Sequence, residues 1–174
     1  MFTVALNDEV VTAQLTRAYA GLEDTSDLMR DIGEILVDST KARFAKGTAP
    51  DGTKWAPKSQ TTLNRYGARK SNRVDTRPLF GPTGLLSSQI FSDPSKDQVE
   101  IGSNRIYAAP MQFGAAKGSF GAYSGTDKNG RAFSGSSPWG NIPARPFLGI
   151  SPEDSVNIVD QIAEYLSGAF GQQV

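Results

Sequence analysis

The residue types that most often carry catalysis are scarce in this chain of 174 residues. It has no histidine and no cysteine, which excludes the commonest general base, the commonest transition-metal ligands and every thiol nucleophile. Carboxylate and lysine chemistry remain. The carboxylates cluster near the starts of predicted helices, where capping accounts for them, and no pair is flanked by apolar residues that would shift a pKa. These patterns predict a protein that is not an enzyme and that holds neither a metal nor a cofactor.

Two glycine-containing sequences contain residue types found in ligand-binding loops. The Gly-Ser-Phe-Gly sequence at residues 118–121 lacks the flanking strand, the helix and the Lys-Ser/Thr pair of a phosphate-binding loop. The Asp-Lys-Asn-Gly sequence at residues 127–130 begins like a calcium loop but lacks the later ligands and the closing glutamate. We interpret the second sequence as a turn, and phosphate binding is the weakest interpretation of the first.

Residues 54–84 form a segment that is rich in positive charge, and this charge lies between residues 54 and 77. Up to residue 77 this segment contains a single carboxylate, Asp75, and seven basic residues, which are Lys54, Lys58, Arg65, Arg69, Lys70, Arg73 and Arg77. The lack of a clear apolar period predicts an exposed, partly helical excursion. Clustered cations bind nucleic-acid phosphates by releasing counterions, but stacking platforms need more rings than Trp55 and Tyr66. DNA contact, contact with an acidic protein and a solvated loop all stay open.

Negative charge is concentrated at the front of the chain, although Lys plus Arg and Asp plus Glu both total 18. Eight carboxylates lie between residues 8 and 38, against only Arg17 and Arg30. A neutral chain with an acidic front and a basic middle is suited to head-to-tail association, which closes into a ring when the rotation permits. Ordinary exposed helix faces account equally well for any one of these carboxylates.

Residues 114–141 form a Gly/Ser-rich stretch that contains seven glycines. This composition buries too little apolar surface to fold alone, so it predicts a long loop or arm. Its aromatic residues are unusual for a linker, and they are Phe120, Tyr123, Phe133 and Trp139. Such rings favour an arm that packs on a partner. A disordered surface loop and a phosphate-binding loop are the other two interpretations.

Two helices are predicted from caps and apolar spacing. The first covers about residues 24–46, where the Asp-Thr-Ser sequence at residues 24–26 offers caps and Gly47 supplies the stop. Its stripe consists of Leu28, Ile32, Ile35, Leu36 and Ser39. The second begins at the Ser-Pro-Glu-Asp sequence of residues 151–154. Its buried stripe is predicted to consist of Val159, Ile162, Ala163, Leu166 and Phe170.

Strands are predicted in three places. An N-terminal strand contains Phe2, Val4 and Leu6, and it leads into a short helix with Val10, Val11, Leu15, Ala18 and Leu22. Residues 85–103 alternate as a hairpin with its turn at residues 93–96. Residues 142–150 return as a strand whose prolines place it at an edge or a strand start. These elements predict one α+β domain over residues 1–174, in which a small antiparallel sheet packs with the two helices and residues 54–84 and 114–141 are long insertions.

Four individual residues within these segments have specific expectations. Arg145 lies beside a proline in a rigid stretch, and it pairs with a carboxylate either across an interface or within the core. Trp55 favours packing over recognition. Gly84 and Gly114 are predicted turn residues that need a positive φ.

Four motifs follow one another in order along the chain. They are Pro50-Asp51-Gly52 with Trp55, Leu79-Phe80 before Thr83-Gly84-Leu85-Leu86, Tyr107-Ala108-Ala109 with Gln112-Phe113-Gly114, and Ile142-Pro143-Ala144-Arg145-Pro146-Phe147-Leu148-Gly149-Ile150. Through these four motifs the chain resembles the phage virion morphogenesis family, which includes tail-completion proteins of P2-like and Mu-like phages. The resemblance extends from about Ile32 to Phe170.

The resemblance implies a structural protein of the virion neck that finishes the tail and joins it to the head. It implies a homo-oligomeric ring, sixfold by analogy with the tails of related phages. The implied partners are the tail tube protein and the connector, stopper or portal-side proteins, with contact to DNA in the lumen. The terminator, stopper and adaptor positions all stay open. A sequence-nonspecific DNA-binding protein is the alternative function.

The start of the chain has no signal-peptide pattern. No stretch approaches the roughly 20 apolar residues that span a bilayer. We therefore expect assembly in the host cytoplasm, without a membrane partner. The candidate interface consists of the seven basic residues with Trp55, the four aromatic residues of the arm and Arg145.

Overall fold

The structure, a computed structural model, describes residues 12, 13, 16, 19, 21–68, 75–81, 83–136 and 141–170. Its elements in chain order are α1 (Ser26–Lys46), α2 (Gln60–Gly67), α3 (Leu85–Ser88), β1 (Phe91–Pro94), β2 (Val99–Gly102), α4 (Ala108–Phe113), β3 (Ala122–Thr126), β4 (Ala132–Ser136) and α5 (Pro152–Phe170). The pairs β1–β2 and β3–β4 are both antiparallel. The predicted α+β class is confirmed. The predicted N-terminal strand lies outside the described residues, and residues 21–23 at the end of the predicted short helix are helical.

The chain divides into two compact units. The first unit contains residues 1–39, 91–102 and 150–174, and the second contains residues 40–90 and 103–149. The boundary lies within α1, so this helix contributes residues up to Ser39 to the first unit and residues from Thr40 to the second.

The start of α1 in the first unit is capped as predicted. The Oδ1 atom of Asp24 accepts hydrogen bonds from the backbone nitrogen of Ser26 at 3.0 Å and from its hydroxyl at 2.6 Å. These two bonds, the hydroxyl bond above all, lower the pKa of Asp24 because they stabilise its ionised form. The backbone nitrogen and the hydroxyl of Thr25 both donate to the carbonyl oxygen of Lys96, in the turn between β1 and β2. The cap therefore also attaches the helix to the hairpin.

The β1–β2 hairpin lies directly against α1. Leu28 and Ile32 of the predicted stripe are buried. A Cβ atom at Gly33 would lie 2.9 Å from the Cβ of Ser92 and 3.0 Å from the Cγ2 of Val99. The helix and the hairpin approach each other this closely because glycine has no side chain.

The hairpin itself is shorter than predicted. Leu85–Ser88 is a helical turn and not part of a strand, and the turn is closed by a 2.8 Å bond from the nitrogen of Ser95 to the carbonyl oxygen of Gln98. Gly84 has the predicted positive φ, 62°, and the hydroxyl of Ser87 donates back to its carbonyl oxygen. Serine hydroxyls that bond to the local backbone compete with a strand ladder, so the alternating pattern was misleading here.

α5 begins as predicted, and its inward face differs from the predicted stripe only in part, since Ile162 and Leu166 are half-buried. The nitrogen of Asp154 donates to the Oγ of Ser151 at 3.1 Å, and the nitrogen of Ser151 donates to the Oδ2 of Asp154 at 2.8 Å, which makes a reciprocal cap. The predicted stripe is wrong at Val159 and Ala163, which are exposed. The side chain of Phe170 lies outside the described residues.

Polar anchors determine which face of α5 turns inward. The hydroxyl of Tyr165 donates to the carbonyl oxygen of Gly21 at 2.7 Å, and the Nε2 of Gln161 donates to the Oδ2 of Asp31 at 3.3 Å. Ile158, Ile162 and Leu166, which share that side of the helix, are half-buried. Val159 and Ala163 belong to the opposite face.

Aromatic rings form the core of the second unit. Phe44 and Phe147 are fully buried, with ring centroids 5.3 Å apart, and Trp55 and Phe80 contact Phe44 edge-on at 5.5 and 6.3 Å. The predicted turn at residues 50–52 brings Trp55 back to the end of α1, since the nitrogen of Ala49 donates to the carbonyl oxygen of Thr53 at 2.8 Å. Edge-to-face pairs add about 0.5–1.5 kcal/mol to the burial of each ring.

The contact at Gly33 gives a direct test of this packing. Gly33→Ala is expected to lower the free energy of unfolding by about 1–3 kcal/mol, because the added methyl group forces the hairpin away from α1. Gly168→Ala in α5 is the matched control, since nothing lies within 4 Å of a Cβ added there. The control should leave stability unchanged or raise it by up to about 1 kcal/mol through helix propensity. Urea unfolding followed by circular dichroism measures both, and equal effects would contradict the close approach.

Candidate functional site

The segment of residues 142–148 has no regular secondary structure beyond a bridge at Ile142, and we call it the anchored segment. The prediction of a strand here is wrong. Ile142 forms an isolated antiparallel bridge with Ala115, and no described residue pairs with residues 143–148 in a strand. Pro143 and Pro146 have no backbone N–H, so a regular ladder is unavailable to this stretch. Side chains from other elements take the place of a neighbouring strand.

Gln112 of α4 makes the most complete replacement. Its Oε1 accepts from the backbone nitrogens of Phe147 at 2.9 Å and Leu148 at 3.0 Å. Its Nε2 donates to the carbonyl oxygen of Leu148 at 3.0 Å. One amide side chain therefore satisfies three backbone groups, as a partner strand would. Gln112 was not among the predicted site residues, although it lies in one of the four motifs.

Arg43 and Trp55 satisfy two further carbonyl groups of the anchored segment. The Nη1 of Arg43 donates to the carbonyl oxygen of Phe147 at 3.0 Å. The Nε1 of Trp55 donates to the carbonyl oxygen of Pro146 at 2.8 Å. Trp55 is only 6% exposed, which agrees with its expected packing role. Little of its surface is therefore available for contact with another protein.

Arg145 points back into its own unit. It is 6% exposed, and its Nε and Nη2 atoms donate to the carbonyl oxygens of Ala56 at 2.6 Å and Pro57 at 2.8 Å. Its backbone nitrogen donates to the carbonyl oxygen of Met111 at 2.8 Å. The expected carboxylate partner is replaced by backbone carbonyls, and burial lowers the pKa of Arg145. This guanidinium therefore holds together the two ends of the second unit's sequence.

The basic segment is less exposed than predicted. The Nζ of Lys58 donates to the carbonyl oxygens of Asp75 and Phe80, and it lies 5.1 Å from the ring centroid of Tyr66. Burial lowers the pKa of Lys58, because removal from water disfavours its charge. Lys58 belongs to a cleft of about 360 Å³. Its ammonium is already bonded to two carbonyl groups, which gives it a structural role in this cleft.

The other basic residues of the segment divide into three groups. Arg77 is paired with Asp75, Nη2 to Oδ2 at 2.5 Å, and it stacks 3.6 Å from the ring centroid of Phe80. Lys54 and Arg65 are exposed, and Arg65 lies in α2, which confirms the expected partial helix. Arg69, Lys70 and Arg73 lie outside the described residues. The interface role of these residues stays a prediction.

The Gly/Ser-rich stretch contains the β-hairpin β3–β4, and we call residues 117–136, which include this hairpin, the arm. The stretch predicted as a long loop or arm therefore contains two paired strands within residues 122–136. Asp127 makes the turn, as its Oδ1 accepts from the nitrogens of Asn129 at 2.8 Å and Arg131 at 2.9 Å. At the base, the nitrogen of Ala115 donates to the carbonyl oxygen of Ile142 at 2.9 Å, and the return bond is 2.7 Å. The arm thus projects from a closed base at the start of the anchored segment.

Glycine is required at Gly114, beside the arm, and it makes room for an aromatic ring at Gly125, within the arm. Gly114 has the predicted positive φ, 75°, and a Cβ there would lie 2.8 Å from the carbonyl oxygen of Ile142. Gly125 pairs with Phe133 across the hairpin, and a Cβ there would lie 2.8 Å from the Cζ of that ring. The ring covers a glycine, which orders an aromatic side chain on a small two-stranded sheet.

The predicted aromatic residues of the arm are only partly described. Phe120 and Phe133 are about half exposed. The side chain of Tyr123 and the whole of Trp139 lie outside the described residues. The hairpin signal was present in the sequence, because an Asn-Gly turn lies between the matching runs Tyr-Ser-Gly-Thr and Phe-Ser-Gly-Ser.

Nothing in the described part of the chain resembles a metal centre. No group of three or more acidic residues is arranged there to hold a metal ion. No helix of the same part is both long and apolar enough to cross a bilayer.

Comparison with known proteins identifies the family. A model described as the phage virion morphogenesis family matches residues 6–167. The chain belongs to this family. The predicted resemblance is confirmed, and the protein functions in the assembly of phage particles. The family is one of structural and morphogenesis proteins and not a known enzyme class.

Two curated relatives match over nearly the whole chain. Mu-like prophage FluMu G protein 2 of Haemophilus influenzae is 27% identical over 159 residues, which is 91% of each chain. The putative capsid assembly protein G of Escherichia phage Mu is 26% identical over 172 residues, which is 95% of this chain and 98% of the relative. No solved structure matches.

The role of Gln112 is tested by removing its side chain. Gln112→Ala leaves the nitrogens of Phe147 and Leu148 without their acceptor, and we expect a loss of about 1–3 kcal/mol in the free energy of unfolding. Gln60→Ala is the control, because Gln60 bonds only to Asn64 on the exposed side of α2. The control should cost less than about 0.5 kcal/mol. A Gln112→Ala variant as stable as the control would contradict the anchoring role.

Because of the ion pair between Asp75 and Arg77, the stability of the protein should depend on pH in the acid range. Hydrogen bonds from Arg77 lower the pKa of Asp75, so its stabilising effect is complete above the unfolded pKa of about 3.9 and is lost as the pH falls through the lower folded value. Melting temperatures of the wild type and Asp75→Asn should differ by a constant amount above about pH 5 and converge in acid. In an Arg77→Gln background this convergence should be smaller, and an unchanged convergence would contradict the assignment.

Proposed function

We propose that this protein completes the phage tail as a homo-oligomeric ring that joins the tail tube to the head connector. The family match supports a role in virion assembly. The printed name of the phage Mu relative refers to capsid assembly, and a protein at the junction of tail and head acts beside the capsid. In this proposal the protein is located in the neck of the virion.

The observation that carries the proposal is the arm. It contains a two-stranded hairpin and the half-exposed rings of Phe120 and Phe133, and a sheet of two strands is only marginally stable in water. Packing on a partner stabilises such a hairpin and covers its rings. A ring of identical subunits gives every arm the same partner.

The charge distribution supports protein contact over DNA binding. Two cations of the basic segment, Lys58 and Arg77, are held by groups of the same chain. Lys54 and Arg65 remain exposed for contact with DNA in the lumen or with an acidic neighbour. The terminator position is the one we propose, and the stopper and portal-adaptor positions are its competitors.

The position in the particle can be tested in infected cells. Phage with a nonsense mutation in this gene should yield filled heads and separate tails that do not join, and the protein supplied from a plasmid should restore complete particles. A reconstruction of the virion should show the protein at the end of the tail tube. Density on the connector side alone would favour the stopper or adaptor, and absence from the neck would contradict the proposal.

The purified protein provides a second test. Native mass spectrometry should detect a closed oligomer, six copies by the expected symmetry, and negative-stain images should show rings. DNA binding should be weak. An affinity for DNA that falls by about 10³-fold or more between 50 and 200 mM salt would instead support the DNA-binding function.

A further inference from the structure

We propose that the arm of one subunit packs on the exposed face of α5 of the next subunit. This inference rests on the proposed ring and adds the two surfaces that form its contact. The proposed partner of each surface is a second copy of this chain.

The exposed face of α5 is apolar along its middle. Val156 is 60% exposed and Val159 is 63% exposed. Ala163, also exposed, lies seven residues after Val156 and four after Val159, so the three side chains share one side of the helix. The half-buried residues Ile158 and Ile162 already supply the inner face of α5. The inner face already provides the apolar side chains that the helix needs for folding. The exposed apolar strip is therefore not required for the fold of the single chain.

Acidic residues border this strip. Asp160 and Glu164 are exposed, and their spacing of four and eight residues from Val156 places them beside it. Over its whole length, Pro152–Phe170, α5 has four acidic residues and no basic residue. A partner surface for this face must combine apolar groups with positive charge.

The arm has that combination. Phe120 and Phe133 are 49% and 48% exposed. From residue 117 to residue 136 there are three basic residues and one acidic residue, and all four are exposed, namely Lys117, Lys128, Arg131 and Asp127. The Oδ1 of that aspartate accepts two backbone bonds in the turn. Aromatic rings beside cations complement an apolar strip beside carboxylates, and such complementarity orients a contact.

The two surfaces also agree in length. Five residues of antiparallel strand extend about 17 Å, whereas the eight residue steps from Val156 to Glu164 extend about 12 Å along a helix. The arm is therefore long enough to cover the strip. Because the two surfaces differ, each subunit gives one arm and receives another, and this head-to-tail contact closes into a ring when the rotation permits.

Disulfide trapping can test the contact directly, because the natural chain has no cysteine. One full-length chain carries Ser134→Cys in the arm, and a second, differently tagged chain carries Ala163→Cys in α5. After mixing and mild oxidation, the expected product is a covalent dimer that contains both tags. The control replaces Ala163→Cys by Thr61→Cys, an exposed position of α2, and it should give no more than background cross-linking.

The outcomes separate this inference from the proposed ring. Rings together with the mixed dimer support both proposals. Rings without the mixed dimer, or with equal cross-linking in the control, overturn the contact between the arm and α5 and leave the ring intact. A chain that stays monomeric at every concentration and gives no mixed dimer overturns both.

Charge reversal provides an independent test of the same contact. Lys128→Glu with Arg131→Glu should weaken subunit association by about tenfold or more, and Asp160→Lys with Glu164→Lys should do the same. Combination of all four changes should restore most of the association, and added salt should reduce the effect of each pair. Analytical ultracentrifugation measures association, and circular dichroism confirms folding. Additive losses in the fourfold variant would overturn the proposed pairing.

Discussion

The second unit depends on one constraint, which is that the backbone of the anchored segment must be satisfied without a neighbouring strand. Its two prolines lack donors, and beyond the bridge at Ile142 no strand among the described residues pairs with it. Gln112, Trp55 and Arg43 supply the missing bonds from α4, from the turn after α1 and from α1 itself. Because unsatisfied buried backbone groups cost about 1–3 kcal/mol each, these side chains determine how the elements of this unit meet. The aromatic core around Phe147 follows from that arrangement.

Local signals in the sequence predicted α1 and α5 and their caps well. The caps at Asp24 and at Ser151, the stop at Gly47 and the turn at residues 50–52 depend on neighbouring residues only. The inner face of α5 could not be predicted in this way, because the helix has apolar residues on both sides. Ile158 and Val159 are equally apolar, and the face is chosen by the bonds of Tyr165 to the carbonyl oxygens of Gly21 and Asp24, 144 and 141 residues away. The Asn-Gly sequence at residues 129–130 indicates a hairpin, but the Gly/Ser-rich composition around it favoured the prediction of a loop or arm.

The bonding partners of the charged residues in the candidate site could not be predicted from the sequence either. A run of cations in a sequence indicates where charge is concentrated, but not which cations are bonded within the chain. Arg145 bonds to carbonyl groups 88 and 89 residues earlier, and Lys58 bonds to a carbonyl group 22 residues later. Only tertiary structure brings these groups together. The family resemblance was more informative, because its motifs coincide with the residues that make these contacts, including Trp55, Gln112 and Arg145.

The position of the anchored segment late in the chain has a consequence for folding during synthesis. Its bonds join residues 35–104 positions apart, so the second unit reaches its final packing only after the ribosome has released residue 148. Contacts of such long sequence separation slow folding. The base of the arm closes through the same segment, at Ala115 and Ile142. A nascent chain therefore cannot close the base of the arm before residue 142 has left the ribosome.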